Sequence, residues 1–194
     1  MQHISRCLVV GPQGAGKSLL LKKLKALSNN QSSKNSRRAD SQGQALGSRE
    51  ILPTLPTVGC TVEELKVSQN ATCLLKEYGG CMAPVWNTAY AECDVVLYVI
   101  DASNCTQISA ATILLLELLG SQDLRDKPFL VFFNKLDCDC PMSLAEYQSV
   151  IRLRDIQSHA PQTVGVVEGS CATGQALDSI LQWIEQQSTA RTSS

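Results

Sequence analysis

Short apolar runs rich in β-branched residues alternate along the chain with longer stretches in which apolar residues recur at helical spacing. The runs that we predict as strands are residues 7–10, 61–67, 72–76, 95–100, 129–133 and 164–167. Helical patterns separate most of them, among them 19–27, 109–119 and 175–187, and a turn is expected between 72–76 and 95–100. This alternation is typical of a parallel sheet covered by helices. We therefore predict an α/β fold, a six-stranded, mostly parallel sheet flanked by about five helices, in which 61–67 pairs with 72–76 through a turn at 68–71.

Residues 29–50 depart from this pattern because they are rich in Ser, Asn and Gln and contain few apolar side chains. Such a composition buries too little apolar surface to offset the entropy lost on ordering. We predict a disordered insertion at 29–50 within a single domain over residues 1–187, followed by a flexible tail at 188–194. Three basic residues leave open an attraction for phosphates or acidic partners beside plain solvation: Lys34, Arg37 and Arg38.

Charge and cysteine usage exclude several classes of protein. The net charge of -1 provides no broad positive field, so no nucleic-acid partner is expected. Nine cysteines is an odd number, and several lie inside apolar runs, which favours reduced thiols and a cytoplasmic protein over a disulfide scaffold or a structural metal site. The longest apolar runs, such as 113–119, are far shorter than the roughly 20 residues that span a bilayer.

The motif Gly-x-x-x-x-Gly-Lys-Ser lies directly after the first predicted strand and before the first predicted helix. In this setting glycines let main-chain N–H groups converge on phosphates, the lysine reaches the outer phosphates, and the serine hydroxyl ligates Mg²⁺. The motif predicts a phosphate-binding loop for a nucleoside triphosphate. Its candidate nucleotide-binding residues are Gly11, Gln13, Gly14, Ala15, Gly16, Lys17 and Ser18, with Ser18 also a metal ligand.

A second polar group, Asn134, Lys135 and Asp137, follows the strand at 129–133. A carboxylate at Asp137 accepts two hydrogen bonds from the N1–H and amine of guanine, a donor pair that adenine lacks. The alternative is a turn that only ends the strand. A third group, 170–174, follows the last strand, and its main-chain N–H groups at Cys171 and Ala172 are candidates to meet the guanine carbonyl. Taken alone it is an ordinary turn, but in this order the three groups predict a guanine-nucleotide site.

With these motifs in place, the chain resembles the ADP-ribosylation factor branch of the small GTPases over nearly its whole length outside 29–50. The residues that carry the branch-specific resemblance are Pro56, Thr57, Val58, Gly59, Val62, Glu63, Tyr78, Gly79, Gly80, Pro84, Val85, Trp86, Tyr90, Cys171, Ala172 and Thr173. The resemblance implies a P-loop small-GTPase fold that binds GTP or GDP with Mg²⁺. It further implies that Thr57 in switch one closes on Mg²⁺ and the terminal phosphate, and that the Gly80 N–H in switch two meets that phosphate. Effector or regulatory proteins would then bind through the two switch regions.

Two residues depart from the pattern of that branch at positions that matter for chemistry. Glu77 stands where the branch has Asp, so its extra methylene must be accommodated if it is to hold a Mg²⁺-bound water. Either the metal shell is weakened or the change is tolerated, since the carboxylate is kept. Cys81 stands where the branch has the glutamine that orients the attacking water. Because a thiol is a poor hydrogen-bond donor, we predict very slow unassisted hydrolysis, with Gln13 as a candidate substitute amide.

The ends of the chain also differ from most of the branch. Residue two is Gln2 rather than a myristoylated glycine, and the last residues contain no cysteine to be prenylated. We expect no direct membrane anchor, with any recruitment to membranes made through partners, and a monomer. Three functions stay open: a GTPase switch with impaired catalysis, a nucleotide-loaded scaffold that seldom hydrolyses, and a P-loop kinase, against which Asp137 argues.

Overall fold

The structure is a computed structural model that describes residues 3–36, 57, 59–68, 71–140 and 142–190. Its six strands are β1 (His3–Val10), β2 (Cys60–Lys66), β3 (Ala71–Tyr78), β4 (Val95–Asp101), β5 (Phe129–Asn134) and β6 (Val164–Glu168). They form one sheet in the order β2-β3-β1-β4-β5-β6. β2 pairs with β3 in antiparallel fashion, and the other neighbours are parallel. The predicted α/β fold and the predicted pairing of the second and third strands are confirmed.

Five α-helices cover the sheet in the described part of the chain: α1 (Lys17–Ser36), α2 (Ile108–Gly120), α3 (Leu144–Val150), α4 (Leu153–His159) and α5 (Leu177–Ala190). Alternate residues of each central strand enter two separate apolar clusters. In β4, Tyr98 packs in the cluster that holds residues of α2, α3 and α4, and Leu97 packs in the cluster that holds residues of α1 and α5. Because both faces of the central strands are buried, β4 and β5 carry apolar or aromatic residues at every position except the last, Asp101 in β4 and Asn134 in β5.

Two connections differ from the expected ones. A 3-10 helix, Gly80–Ala89, replaces the turn expected between β3 and β4, and the buried indole of Trp86 holds it by donating to Gly79 O at 3.2 Å. Between β5 and β6 the single expected helix is divided into α3 and α4. The division falls at Arg152, whose left-handed backbone, with φ of 55°, ends a helix in the way that a capping residue does.

The predicted insertion at 29–50 is wrong at its beginning, because α1 continues as helix through Ser36. The stretch from Lys17 to Ser36 contains no Gly or Pro, and lengthening an existing helix costs far less than starting one. Ser28 Oγ also donates to Lys66 O and so attaches the helix to β2. The predicted tail at 188–194 likewise begins too early, since α5 runs to Ala190 and its Ser188 Oγ lies 2.7 Å from Ser5 Oγ.

Several predictions fall outside the described residues: the rest of the insertion at 37–50, Pro56 and Val58 of switch one, residues 69 and 70 of the hairpin turn, and 191–194 of the tail. Within the described residues, no helix combines the length and the apolar character needed to cross a membrane. The carboxyl ends of the parallel strands β1, β3, β4 and β5 meet at one edge of the sheet, as they must when neighbours run in the same direction. The phosphate loop, the glycine pair at 79–80 and the group at 134–137 follow these ends, and the group at 170–174 follows the end of β6, which is parallel to β5.

Candidate functional site

The loop between β1 and α1 curls around the ammonium group of Lys17. Lys17 is only 4% exposed, and its Nζ donates to Gly11 O at 2.9 Å and to Pro12 O at 2.8 Å. Burial lowers the pKa of Lys17 to about 8, and the nearby Glu77 carboxylate opposes that shift. A buried cation whose hydrogen bonds go to carbonyl oxygens gains from the approach of an anion, and the amino end of α1 adds its positive dipole.

Position 16 of this loop requires glycine, because of both its backbone conformation and its close neighbours. Its φ is +94°, and a Cβ atom there would lie 2.4 Å from Asn134 Nδ2. Only glycine therefore allows the loop and the end of β5 to approach this closely. The contact is the first link between the phosphate loop and the group predicted to bind the base.

The Asn134 side chain, at the end of β5, connects two loops. It is 1% exposed; its Nδ2 donates to Ala15 O at 2.8 Å, and its Oδ1 accepts from Cys171 N at 2.9 Å. The amide therefore joins the phosphate loop to the loop after β6. The sequence suggested only that this residue shapes the base pocket, and its bridging role has no signature in the motif itself.

The neighbours of Asn134 are held by two further side chains: Asp101, which lies in no predicted motif, and Ser170, the first residue of the group at 170–174. Lys135 Nζ forms an ion pair with Asp101 Oδ2 at 2.6 Å, and Asp101 lies opposite Asn134 at the ends of the paired strands β4 and β5. Strand register is the signal that identifies Asp101, because it places that carboxylate beside the motif. Ser170 Oγ donates to Asp137 Oδ1, so the predicted base-recognising carboxylate is oriented by a hydroxyl.

The main-chain N–H groups after β6, which are predicted to meet the guanine carbonyl, also make hydrogen bonds within the protein. Cys171 N donates to Asn134, and Ala172 N and Thr173 N donate to Ser170 Oγ at 3.1 and 3.2 Å. These bonds stabilise the loop, because the small hydroxyl side chain at 170 folds back on the amides that follow it. The contact of Cys171 and Ala172 with guanine stays a prediction.

The two glycines after β3 lie against both neighbouring loops. A Cβ atom at Gly79 would lie 2.0 Å from Thr57 O, and one at Gly80 would lie 2.1 Å from Gln13 N. The Cys81 thiol lies 3.8 Å from Thr57 O, a weak contact. Switch one, switch two and the phosphate loop thus meet here, and the Gln13 residue whose backbone makes the contact is exposed.

Three side-chain oxygens gather beside the phosphate loop. Ser18 Oγ donates to Glu77 Oε1 at 2.6 Å, Thr57 Oγ1 donates to the same oxygen at 3.2 Å, and the two hydroxyl oxygens are 2.9 Å apart. Hydroxyl and carboxylate oxygens are the ligands that Mg²⁺ prefers, so this donor set fits the metal that the fold implies. Elsewhere in the described part of the chain, no group of three His, Cys, Asp or Glu residues has the arrangement of a metal site.

The comparisons with known proteins agree with this geometry. The sequence model of the ADP-ribosylation factor family matches residues 44–188. The chain is 38% identical to human ADP-ribosylation factor-like protein 16 over 179 residues, which cover 92% of this chain and 84% of that protein. It is 33% identical to mouse ADP-ribosylation factor-like protein 5A over 138 residues, 70% of this chain and 74% of that protein.

A solved structure shares the fold. It is the Arl6 BBS3 small GTPase from Trypanosoma brucei with the bound nucleotide analogue GppNp, which superposes with a TM-score of 0.74 at 18% identity and covers 96% of this chain and 98% of that one. The sheet order, the loops gathered at one sheet edge and the sequence matches all lead to one assignment. The chain belongs to the ADP-ribosylation factor family of small GTPases, a membership that implies GTP and GDP binding.

Proposed function

We propose that this chain is a guanine-nucleotide switch that binds GTP and GDP together with Mg²⁺ and hydrolyses GTP very slowly without assistance. The observation that carries the proposal is the Asn134 amide, which ties the phosphate loop at Ala15 to the loop at Cys171. A ligand with phosphates at one end and a purine at the other is the kind of molecule that needs both loops fixed relative to each other.

The proposed roles follow the positions of the residues. The phosphates lie on the loop residues Gly11, Gln13, Gly14, Ala15, Gly16, Lys17 and Ser18, and the base lies against Asn134, Lys135, Asp137, Cys171 and Ala172. Lys17 then exchanges its carbonyl partners for phosphate oxygens, which are stronger acceptors because they are charged. Ser18 and Thr57 hold Mg²⁺, which when bound neutralises part of the phosphate charge.

Switching depends on contacts that only the terminal phosphate supports. Thr57 and Gly80 come from different segments, yet both lie beside the phosphate loop. We infer that loss of the terminal phosphate frees both segments, as in other proteins whose loops are ordered by a phosphate and its metal. Effectors then recognise the exposed apolar residues of these regions, Val62 on β2 and Val85 on the 3-10 helix, which are 56% and 38% exposed.

Competition between GTP and ATP for the purified protein tests the guanine assignment. We expect GTP to bind far more tightly, and Asp137→Ala to remove about 1 to 3 kcal/mol of that preference, or about 5- to 150-fold. Asp139→Ala removes an exposed carboxylate of the same loop and is the matched control. Equal affinity of wild type for the two nucleotides, or equal effects of the two substitutions, would contradict the guanine assignment. Either result would favour the alternative of a P-loop kinase.

The second candidate function is a scaffold that stays loaded and seldom hydrolyses or exchanges its nucleotide. Cys81 favours it, because the exposed thiol offers the attacking water no strong hydrogen bond. Release of a fluorescent GDP analogue in the presence and absence of Mg²⁺ separates the two functions. A switch releases GDP within minutes when the metal is removed, whereas a scaffold keeps the nucleotide and copurifies with GTP. A monomeric state, a cytoplasmic location and recruitment to membranes through partners stay predictions.

A further inference from the structure

Glu77 reaches farther toward the phosphate loop than an aspartate at the same position. Its backbone is fixed on both sides, because Glu77 pairs with Val9 of β1 and with Thr61 of β2 in the sheet. The added methylene therefore carries the carboxylate outward, by up to about 1.5 Å, the length of one C–C bond. It brings Oε1 into direct contact with the hydroxyls of Ser18 and Thr57, with no space for a water between them.

The three oxygens have the spacing of neighbouring ligands on one octahedral ion. Mg²⁺ binds oxygen at 2.0 to 2.1 Å in near-ideal octahedral geometry, so adjacent ligands are about 2.8 to 3.0 Å apart. The three separations here are 2.6, 2.9 and 3.2 Å, which bracket that value. Ordinary hydrogen bonds span a similar range, so the distances alone allow both arrangements.

The negative charge of the Glu77 carboxylate distinguishes a metal site from a set of ordinary hydrogen bonds. The residue is 2% exposed, and among the residues that the structure describes no Lys, Arg or His nitrogen lies within 4.0 Å of its carboxylate. The Lys17 ammonium interacts electrostatically with this carboxylate but donates its hydrogen bonds to carbonyl oxygens of its own loop. Two neutral hydroxyls offset little of the cost of burying a carboxylate, which is normally met by a cation or a metal ion.

We propose that Glu77 is a direct ligand of the divalent cation, on one face with Ser18 and Thr57, rather than a residue that holds a metal-bound water. This inference rests on the proposed function, because the cation binds together with the nucleotide. A direct carboxylate displaces one water from the metal and adds a negative charge to its shell. Glu77 thus becomes a determinant of cation affinity and of the dependence of nucleotide release on the cation.

The number of waters on the metal tests the proposal. Mn²⁺ replaces Mg²⁺ as the probe in the complex of the full chain with a non-hydrolysable GTP analogue, and broadening of its EPR lines in ¹⁷O-enriched water counts the bound waters. We expect wild type to have one bound water fewer than Glu77→Asp, and Glu77→Asp to bind Mn²⁺ about 10-fold more weakly. Glu63→Asp makes the same change on β2, where Glu63 pairs with Lys25 of α1 rather than with the hydroxyls, and should match wild type. Equal water counts in wild type and Glu77→Asp would overturn the proposal.

A second measurement uses wild type alone, in case Glu77→Asp fails to fold. In the Mn²⁺ complex of protein labelled with ¹³C-glutamate, a directly bound carboxylate gives a strong ¹³C coupling in ENDOR spectra, and a water-separated one does not. Absence of that coupling while the GTP analogue is bound overturns the direct ligand and leaves the proposed function intact. A protein that binds neither GTP nor GDP overturns both.

Discussion

The Asn134 amide donates to Ala15 O at 2.8 Å although the two residues are 119 positions apart in sequence. The Oδ1 atom of the same amide accepts from Cys171 N, so one side chain satisfies two buried main-chain groups on different loops. Such long-range polar bonds fix loops that have no regular structure of their own. The relative positions of the phosphate loop and the loop after β6 therefore depend on the Asn134 amide.

Replacing Asn134 by Ala should lower the free energy of unfolding and loosen the site. Ala15 O and Cys171 N would each lose a partner while staying buried, at a cost of about 1 to 3 kcal/mol for each group. We expect a total loss of about 2 to 6 kcal/mol in urea denaturation. Asn104→Ala is the matched control, because Asn104 only caps a short 3-10 helix and its loss should cost about 1 kcal/mol. Losses of equal size would contradict a bridging role for Asn134.

The strands and the motifs that follow them could be predicted from sequence because apolar runs and glycine spacing are local properties. The extension of α1 to Ser36 could not, since tertiary bonds such as that from Ser28 to β2 decide where a polar helix ends. The bond from Ser170 to Asp137 and the ion pair from Lys135 to Asp101 also depend on which strands lie side by side. Sequence identifies which residues carry chemistry, but the register of the sheet decides which of them meet.

Gly80→Ala should separate switch two from the phosphate loop. The new Cβ would lie 2.1 Å from Gln13 N, a backbone atom that cannot move aside without disturbing the loop. We expect affinity for a non-hydrolysable GTP analogue to fall by about 10-fold or more, with a smaller change for GDP. Trp86, whose indole donates to Gly79 O, reports the displacement through its fluorescence in a Trp183→Phe background.

Gly120→Ala serves as the control for that substitution. Gly120 ends α2, and a Cβ atom there meets nothing within 4 Å. This variant should keep wild-type affinity for both nucleotides and wild-type Trp86 emission. If Gly80→Ala bound the GTP analogue as wild type does, the contact between switch two and the phosphate loop would have no part in binding.

Two buried thiols should make the fold less stable at alkaline pH. Burial raises the pKa of Cys73 from 9.0 to about 11 and that of Cys171 from 9.0 to about 12. Above pH 9 the unfolded chain releases these protons while the folded chain keeps them, so stability is present below pH 9 and is lost as pH rises toward 11 or 12. Each thiol should cost about 1.4 kcal/mol at pH 10.

Urea denaturation at pH 8 and pH 10 measures this loss. Cys73→Ala should be less stable than wild type at pH 8 because it leaves a small cavity, but its stability should fall less between the two pH values. Cys60→Ala removes an exposed thiol and is the control. Parallel losses in wild type and Cys73→Ala would mean that the buried thiol has no part in the alkaline instability.

Single-turnover hydrolysis of GTP tests the proposed weakness of catalysis. In wild type the Cys81 thiol lies 3.8 Å from Thr57 O and offers the attacking water only a poor hydrogen bond. Cys81→Gln supplies an amide at that position and should raise the rate by about 10-fold or more, because this reaction depends on positioning of the water. Cys81→Ala should stay as slow as wild type. A fall in rate for Gln13→Ala would instead assign the water-orienting role to the phosphate loop, and rapid turnover by wild type would show that the missing glutamine does not limit the reaction.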